Sequence, residues 1–205
     1  MGWMRARVWL EDKSKTLLCS AFTGEIDLLV ASQKFPHIQS LGIGNLEAAL
    51  SLQTFLFDHP HIESVIFFGS CGAYPWSSFS IGDLVSATCA HNKEISAALG
   101  HTKQILTLPT RINFIKPVNI HPTSICNAPS SLTLLTLSSP PLEEWKELGV
   151  ENLELYGIAR VCEIKNISLS AHMSVTNLVG PNGSRDWQKN WRDLSNKLQN
   201  HYLTL

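Results

Sequence analysis

Charge is scarce in this 205-residue sequence: only 16% of its residues are Asp, Glu, Lys or Arg, and they leave a net charge of −1. No basic stripe is available to neutralise a row of phosphates, which excludes nucleic-acid binding as the main role. Lys and Arg are absent altogether from Phe35 to Asn92, so an anion bound there would lack its usual partner. Long apolar runs are missing too. Nothing approaches the roughly eighteen uninterrupted apolar residues of a membrane span. Near the start, Arg5 and Arg7 are followed by only Val8, Trp9 and Leu10 before Glu11, too short a stretch for the core of a signal peptide. The five cysteines (Cys19, Cys71, Cys89, Cys126 and Cys162) are odd in number and widely spaced, with no CxxC pair. That argues against a structural zinc or a disulfide framework, and for buried reduced thiols in a cytoplasmic protein.

What is present is 44% hydrophobic residues, arranged as apolar runs alternating with helical spacing. Residues 1–15 read as a flexible N-terminal extension and 16–205 as one domain, long enough to bury roughly 70% of its unfolded surface. The expected strands are Thr16–Ala21, Ile38–Leu41, Ser64–Phe68, Asp83–Ala90, Leu132–Leu137 and Ile167–Val175. A helix begins at Ile26 with Thr23 as its N-cap. A second carries Leu46, Ala49, Leu50, Gln53, Leu56 and Phe57 at helical spacing, and a third is expected between Glu143 and Lys165. Ser184 is placed to cap a last helix bearing Trp187, Trp191, Leu194 and Leu198. Lys103 to Pro141, rich in Pro, Asn and Ser, reads as loops around its one strand. This alternation is the sequence form of an α/β fold, a sheet flanked by helices.

Ligands of such sheets sit beyond the carboxyl ends of the strands, and four segments qualify. Thr23-Gly24-Glu25 follows the first strand; its carboxylate can take a proton from water, or simply favour a helix N-terminus. Gly69-Ser70-Cys71-Gly72 lets a ligand approach the backbone, or is an ordinary tight turn. Glu151-Asn152-Leu153-Glu154 offers carboxylates to ribose hydroxyls, or again to a helix dipole. Thr176-Asn177-Leu178-Val179-Gly180 offers an amide with both donor and acceptor, as reading a purine edge requires, or turn chemistry.

The order of these segments resembles the purine and uridine phosphorylases and the methylthioadenosine/S-adenosylhomocysteine nucleosidases. Leu41-Gly42-Ile43-Gly44-Asn45-Leu46-Glu47-Ala48-Ala49 is similar to their SGVGKVNAA. Gly69-Ser70-Cys71-Gly72 with Ile81-Gly82-Asp83-Leu84-Val85 is similar to GSAG…VGDVV, and Glu151 to Ala159 to MEMEGAA, with Leu153 where methionine is usual. Thr176-Asn177-Leu178-Val179-Gly180 with Arg185-Asp186 and a Trp resembles the SN-x-x-G-x-RD…W of futalosine hydrolases, enzymes of an alternative route to menaquinone. The resemblance implies a three-layer sandwich with a mixed central β-sheet flanked by helices, a homodimer, and a small purine nucleoside as ligand with no cofactor and no metal. By position, Glu25 would activate water, Glu154 would hold the ribose hydroxyls with Leu153 beside it, and Thr176 and Asn177 would meet the purine. Gly69, Ser70, Cys71 and Gly72 would line the sugar pocket. Trp187 and Trp191 lie near enough in sequence to help shape an apolar 5′ pocket, or belong simply to the core.

Two positions depart from the adenine nucleosidases. Asn177 stands where they have a proton-donating aspartate, and Met173 where they have an arginine four residues earlier. An amide delivers no proton and stabilises the leaving base only by hydrogen bonding. The hexameric phosphorylases carry arginine in the first loop and again two residues before Gly-Ser-Cys-Gly, where this sequence has Phe67. A phosphate dianion without cations is costly to desolvate, so water is the expected nucleophile. The expected activity is hydrolysis of the N-glycosidic bond of futalosine or aminodeoxyfutalosine. The alternatives are a methylthioadenosine/S-adenosylhomocysteine nucleosidase and a catalytically weak nucleoside-binding homologue.

Overall fold

The computed structural model describes residues 12–104 and 109–205; residues 1–11 of the expected extension lie outside it. Residues 13–15 form a helical turn that leads straight into the first strand. The strands are β1 (Thr16–Ser20), β2 (Ile38–Ser40), β3 (Ser64–Ala73), β4 (Leu84–His91), β5 (Arg111–Asn113), β6 (Thr123–Asn127), β7 (Leu148–Glu151) and β8 (Ser168–Leu178). The helices are α1 (Asp27–Ser32), α2 (Asn45–Asp58), α3 (Ile95–Ala98), α4 (Leu155–Lys165) and α5 (Gly183–Leu203). The strands form one mixed sheet in the order β2-β1-β3-β7-β6-β4-β5, with β8 paired to both β3 and β4. β3 runs parallel to β1 and β8 and antiparallel to β7.

Alternation along the central strands divides the apolar side chains between two faces. Leu17, Cys19, Val65 and Phe67 pack with Leu52 and Leu56 of α2 and Ile158 and Cys162 of α4. Leu18, Ile66 and Phe68 face the other way, onto Ile26 and Leu29 and onto Leu198 and Tyr202 of α5. Helices therefore cover both faces of a central mixed sheet. No helix among the described residues is long and apolar enough to cross a membrane.

Several local expectations are corrected. Gly69 to Gly72 is not a turn: β3 continues through it to Ala73, with a register shift against β8 between Cys71 and Gly72. β8 likewise extends past Val175 to Leu178, so Thr176 and Asn177 are strand residues. Leu132–Leu137 is irregular, and the strands of that region are β5 and β6 instead. The helical stretch from Glu143 is interrupted by β7. Neither predicted cap forms. The Thr23 hydroxyl meets Ser40 Oγ at 3.2 Å, and Ser184 lies inside α5 behind Asn182. The first free N–H groups of α1 are satisfied from afar, Gln199 Oε1 accepting from Leu28 N (2.9 Å) and Leu29 N (3.2 Å). α2 is apolar on two sides. Ala48, Leu52 and Leu56 enter the core, while Leu46, Leu50 and Phe57 stand 74%, 54% and 80% exposed on the opposite side.

Candidate active site

The chain returns from β1 through a helical turn, Thr23–Glu25, that folds Glu25 back over the strand ends. α5 clamps this turn. Arg192 donates to Gly24 O (3.0 Å) and pairs with Asp27 (2.6 Å), while a side chain on Gly24 would collide with the Trp191 ring at 2.9 Å. Glu25 is 3% exposed. Its Oε1 accepts two hydrogen bonds from one residue, the Ser70 N–H and the Ser70 hydroxyl, each at 2.9 Å. Its Oε2 is buried and has no hydrogen-bond partner among the described residues. Burial pushes the Glu25 carboxyl up to about 8; the nearby Glu154 carboxylate adds to the rise, and the Ser70 bonds and the Ala21 backbone N–H oppose it.

Glu154 sits at the entry of α4. Oε1 accepts the N–H of Gly44 (3.0 Å), where φ of +90° turns the backbone towards it, and Oε2 accepts from Asn152 Nδ2 (2.8 Å). Burial raises this carboxyl as well, against the lowering pull of these bonds. Asn152, which sequence reasoning treated only as part of a motif, ties the site together. Its amide donates to Ser70 O (3.1 Å) and to Glu154, and its oxygen accepts the N–H groups of Glu154 and Leu155, both at 2.9 Å. The Asn-x-Glu spacing at a helix start was its visible signal.

Glu25 and Glu154 line a cavity of about 340 Å3 together with Ser70, Cys71, Gly72, Leu153, Thr176 and Asn177. Eight of the nine predicted site residues thus converge. Gly69 lies one residue away from this wall, its missing side chain making room for the Phe67 ring. The Asn177 amide is partly committed, its oxygen accepting from Thr176 Oγ1 (2.9 Å) and its nitrogen donating to Leu178 O (3.0 Å). One N–H and one lone pair stay available. Gly72 is needed beside it, because a Cβ there would stand 2.7 Å from Asn177 Nδ2. Cys71 is buried, burial pushing its thiol far above the usual range, so it is inert as a nucleophile.

Phe22, Ile43, Leu132, Leu134, Val179 and Trp187 give the rest of the wall its aromatic and aliphatic part, and Thr133, Asn152, Ser184 and Gln188 are polar members of it. The irregular segment around Leu132 reaches the cavity because Glu151 holds it. Glu151 Oε2 accepts from Thr133 Oγ1 (2.9 Å) and from Tyr74 (2.8 Å). Three carboxylates but no Lys, Arg or His border the cavity among the described residues.

No protein-family model and no curated protein sequence matches the chain. Solved structures do. The chain is similar to the 5′-methylthioadenosine/S-adenosylhomocysteine nucleosidase of Neisseria meningitidis in complex with methylthio-immucillin-A, with 15% identity and a TM-score of 0.72 over 90% of this chain and 95% of that one. It is similar to a mutant of the Helicobacter pylori enzyme with 5′-methylthioadenosine in the active site, with 13% identity and a TM-score of 0.75 over 93% and 96%. A futalosine hydrolase mutant of Helicobacter pylori gives 12% identity and a TM-score of 0.74 over 90% and 95%. The fold is that of the nucleosidases.

Proposed function

We propose that this protein is a purine nucleoside N-ribosyl hydrolase acting on futalosine or aminodeoxyfutalosine, in the futalosine route to menaquinone. The observation that carries the reading is Glu25: a buried carboxylate with one oxygen fixed by Ser70 and the other uncommitted, on the wall of a cavity that holds no cation among the described residues. The fold shared with nucleosidases supports it.

In this reading Glu25 Oε2 takes a proton from water, which attacks C1′ of the ribose. The C1′–N bond breaks through an oxocarbenium-like state, and its electron pair leaves with the purine. Base catalysis of this kind contributes roughly 10²–10⁴-fold. Each Glu154 oxygen keeps a lone pair beyond its present bond, enough to receive the ribose hydroxyls and fix the sugar. The remaining N–H of Asn177 steadies the purine as charge moves onto it, with Thr176 holding the amide in place. The absence of Lys and Arg from the cavity wall among the described residues favours water over phosphate as nucleophile.

Hydrolysis of methylthioadenosine or S-adenosylhomocysteine is the second reading, favoured by the neighbour that holds 5′-methylthioadenosine. Asn177 argues against it, since adenine departs best with a proton supplied. Purine release from futalosine, aminodeoxyfutalosine and methylthioadenosine, with and without phosphate, separates the readings. The expected result is free purine and free ribosyl product at the same rate in either buffer. A ribose-1-phosphate-type product overturns the hydrolase reading. A higher kcat/KM on methylthioadenosine than on either futalosine hands it to the second. No release from any of them leaves a nucleoside-binding homologue.

The exposed row Leu46, Leu50 and Phe57 on α2 begins beside Ile43 at the cavity wall. We propose that it pairs two copies into a homodimer, burying well over roughly 1,200 Å2 in total. Five free and buried cysteines support a cytoplasmic location.

A further inference from the structure

Glu25 is aimed by a residue 162 positions further along the chain. Trp187 on α5 donates its indole Nε1–H to Ser70 Oγ at 2.9 Å, and Ser70 Oγ lies 2.9 Å from Glu25 Oε1. We propose that Trp187 is a positioning residue for the general base, acting through the Ser70 hydroxyl. The proposal rests on the reading of Glu25 as that base.

The direction of the chain of bonds follows from the donors alone. An indole N–H can only donate. The Ser70 oxygen must therefore accept from Trp187, and its single hydrogen is turned away from the indole towards an acceptor. Glu25 Oε1 is the acceptor within reach. Accepting a bond also polarises the hydroxyl and makes it the stronger donor. With the Ser70 backbone N–H on the same atom, Oε1 is held twice, which fixes the carboxylate plane and leaves Oε2 as the oxygen free to take a proton. Without the indole, the Ser70 hydroxyl loses the bond that turns its hydrogen towards Glu25 and polarises it, so its hold on Oε1 weakens.

Trp187 is built to hold still. Its ring stacks on Trp191, one helical turn on, with centroids 5.7 Å apart and planes at 15°. The edge of Phe22 meets both, at 6.2 Å and 5.2 Å. Phe22 is the residue whose carbonyl accepts the Glu25 N–H (3.1 Å). The aromatic cluster thus touches both ends of the chain of bonds, the donor and the turn that carries the acceptor.

Trp187→Phe keeps a ring for the stack and removes only the N–H. The measurement is kcat/KM against pH for the parent, Trp187→Phe, Ser70→Ala and the double variant. The unfolding free energy of each is also followed against pH and compared with its Glu25→Gln counterpart, which reads the Glu25 titration without substrate. In Trp187→Phe the acidic limb of kcat/KM should move up by about one pH unit, the loss of one bond to an ionised group, and the stability curve should move with it. In the Ser70→Ala background the same substitution should move neither. An unmoved limb in Trp187→Phe, or an equal movement without the Ser70 hydroxyl, overturns the proposal. If no nucleoside is cleaved by any of the proteins, the reading of Glu25 as a base falls, and the stability curves alone decide whether Trp187 governs its ionisation.

Discussion

Replacing Glu25 by Gln keeps the shape of the side chain and removes its charge, and the structure predicts opposite consequences for activity and stability. Burial holds the folded carboxyl at about 8, against an ordinary value of 4.5. Between those values the folded state keeps a proton that the unfolded state has released, so stability falls as pH rises through that window. At about 1.36 kcal/mol per pH unit, the ionised carboxylate costs the parent about 4 kcal/mol more at pH 9 than at pH 5, whereas the amide carries no such term. Gln gives up the two Ser70 bonds only in part, since its carbonyl oxygen still accepts them. Chemical denaturation at several pH values should therefore show Glu25→Gln gaining on the parent as pH rises, by about 4 kcal/mol across that range.

Turnover should move the other way. A base must be ionised to act, so the parent's kcat/KM should climb with pH and level off above about pH 8, following the same titration. The Gln variant should lose roughly 100-fold or more in kcat at every pH while still binding nucleoside. Near-normal turnover in the variant refutes Glu25 as the base. A parent whose kcat/KM is flat from pH 6 to 9, or a stability gap that does not widen, refutes the claim that burial without cations holds the carboxyl neutral.

Three further substitutions probe the site and its surroundings. Gly72→Ala places a methyl 2.7 Å from Asn177 Nδ2, and should raise KM for the nucleoside about tenfold by displacing the amide, as read from initial rates. Asn177→Asp restores a proton donor and should shift the ratio of kcat/KM towards adenine nucleosides by roughly 10²-fold; an unchanged ratio on the same substrate panel counts against Asn177 as the base-contacting residue. Phe57→Glu with Leu50→Glu puts charges on the exposed row of α2 and should convert a dimer to a monomer by light scattering at micromolar concentration; a parent that is already monomeric removes the homodimer.

The first strand, the turn carrying Glu25, the existence of α2 and the long last helix were legible because each rests on local periodicity or turn chemistry. What failed depends on contacts across the chain. Gly69 and Gly72 look like turn glycines, yet they belong to β3 because β8 pairs along its whole length, and their missing side chains admit the Phe67 ring and the Asn177 amide. The pattern of Leu132 to Leu137 resembles a strand, but no sheet edge takes it up and Glu151 holds Thr133 instead. On α2 the apolar residues form two stripes, and helical spacing alone cannot tell the one that enters the core from the one that stays outside. The candidate residues on the cavity wall were easier to pick out than their supports. Glu25, Glu154 and Asn177 announce themselves by type and order, whereas the Trp187 bond to Ser70 spans 117 positions and has no local signal.

In the proposed hydrolase, one physical feature links the choice of nucleophile to the energetics of the fold. A carboxylate buried without a cation is unstable as an ion, which is why Glu25 holds its proton so far above the ordinary range. The same desolvation makes the ionised form a stronger base, since it gains by capturing a proton from water. An arginine on the cavity wall would ease the burial, lower the carboxyl and weaken it as a base, and it would also invite phosphate to occupy the place of water. Three acids and, among the described residues, no cation around one cavity therefore form a consistent set. They cost the fold stability as pH rises, and in the proposed hydrolase they would disfavour an anionic nucleophile and leave a neutral water to be deprotonated by the carboxylate that gains most from it.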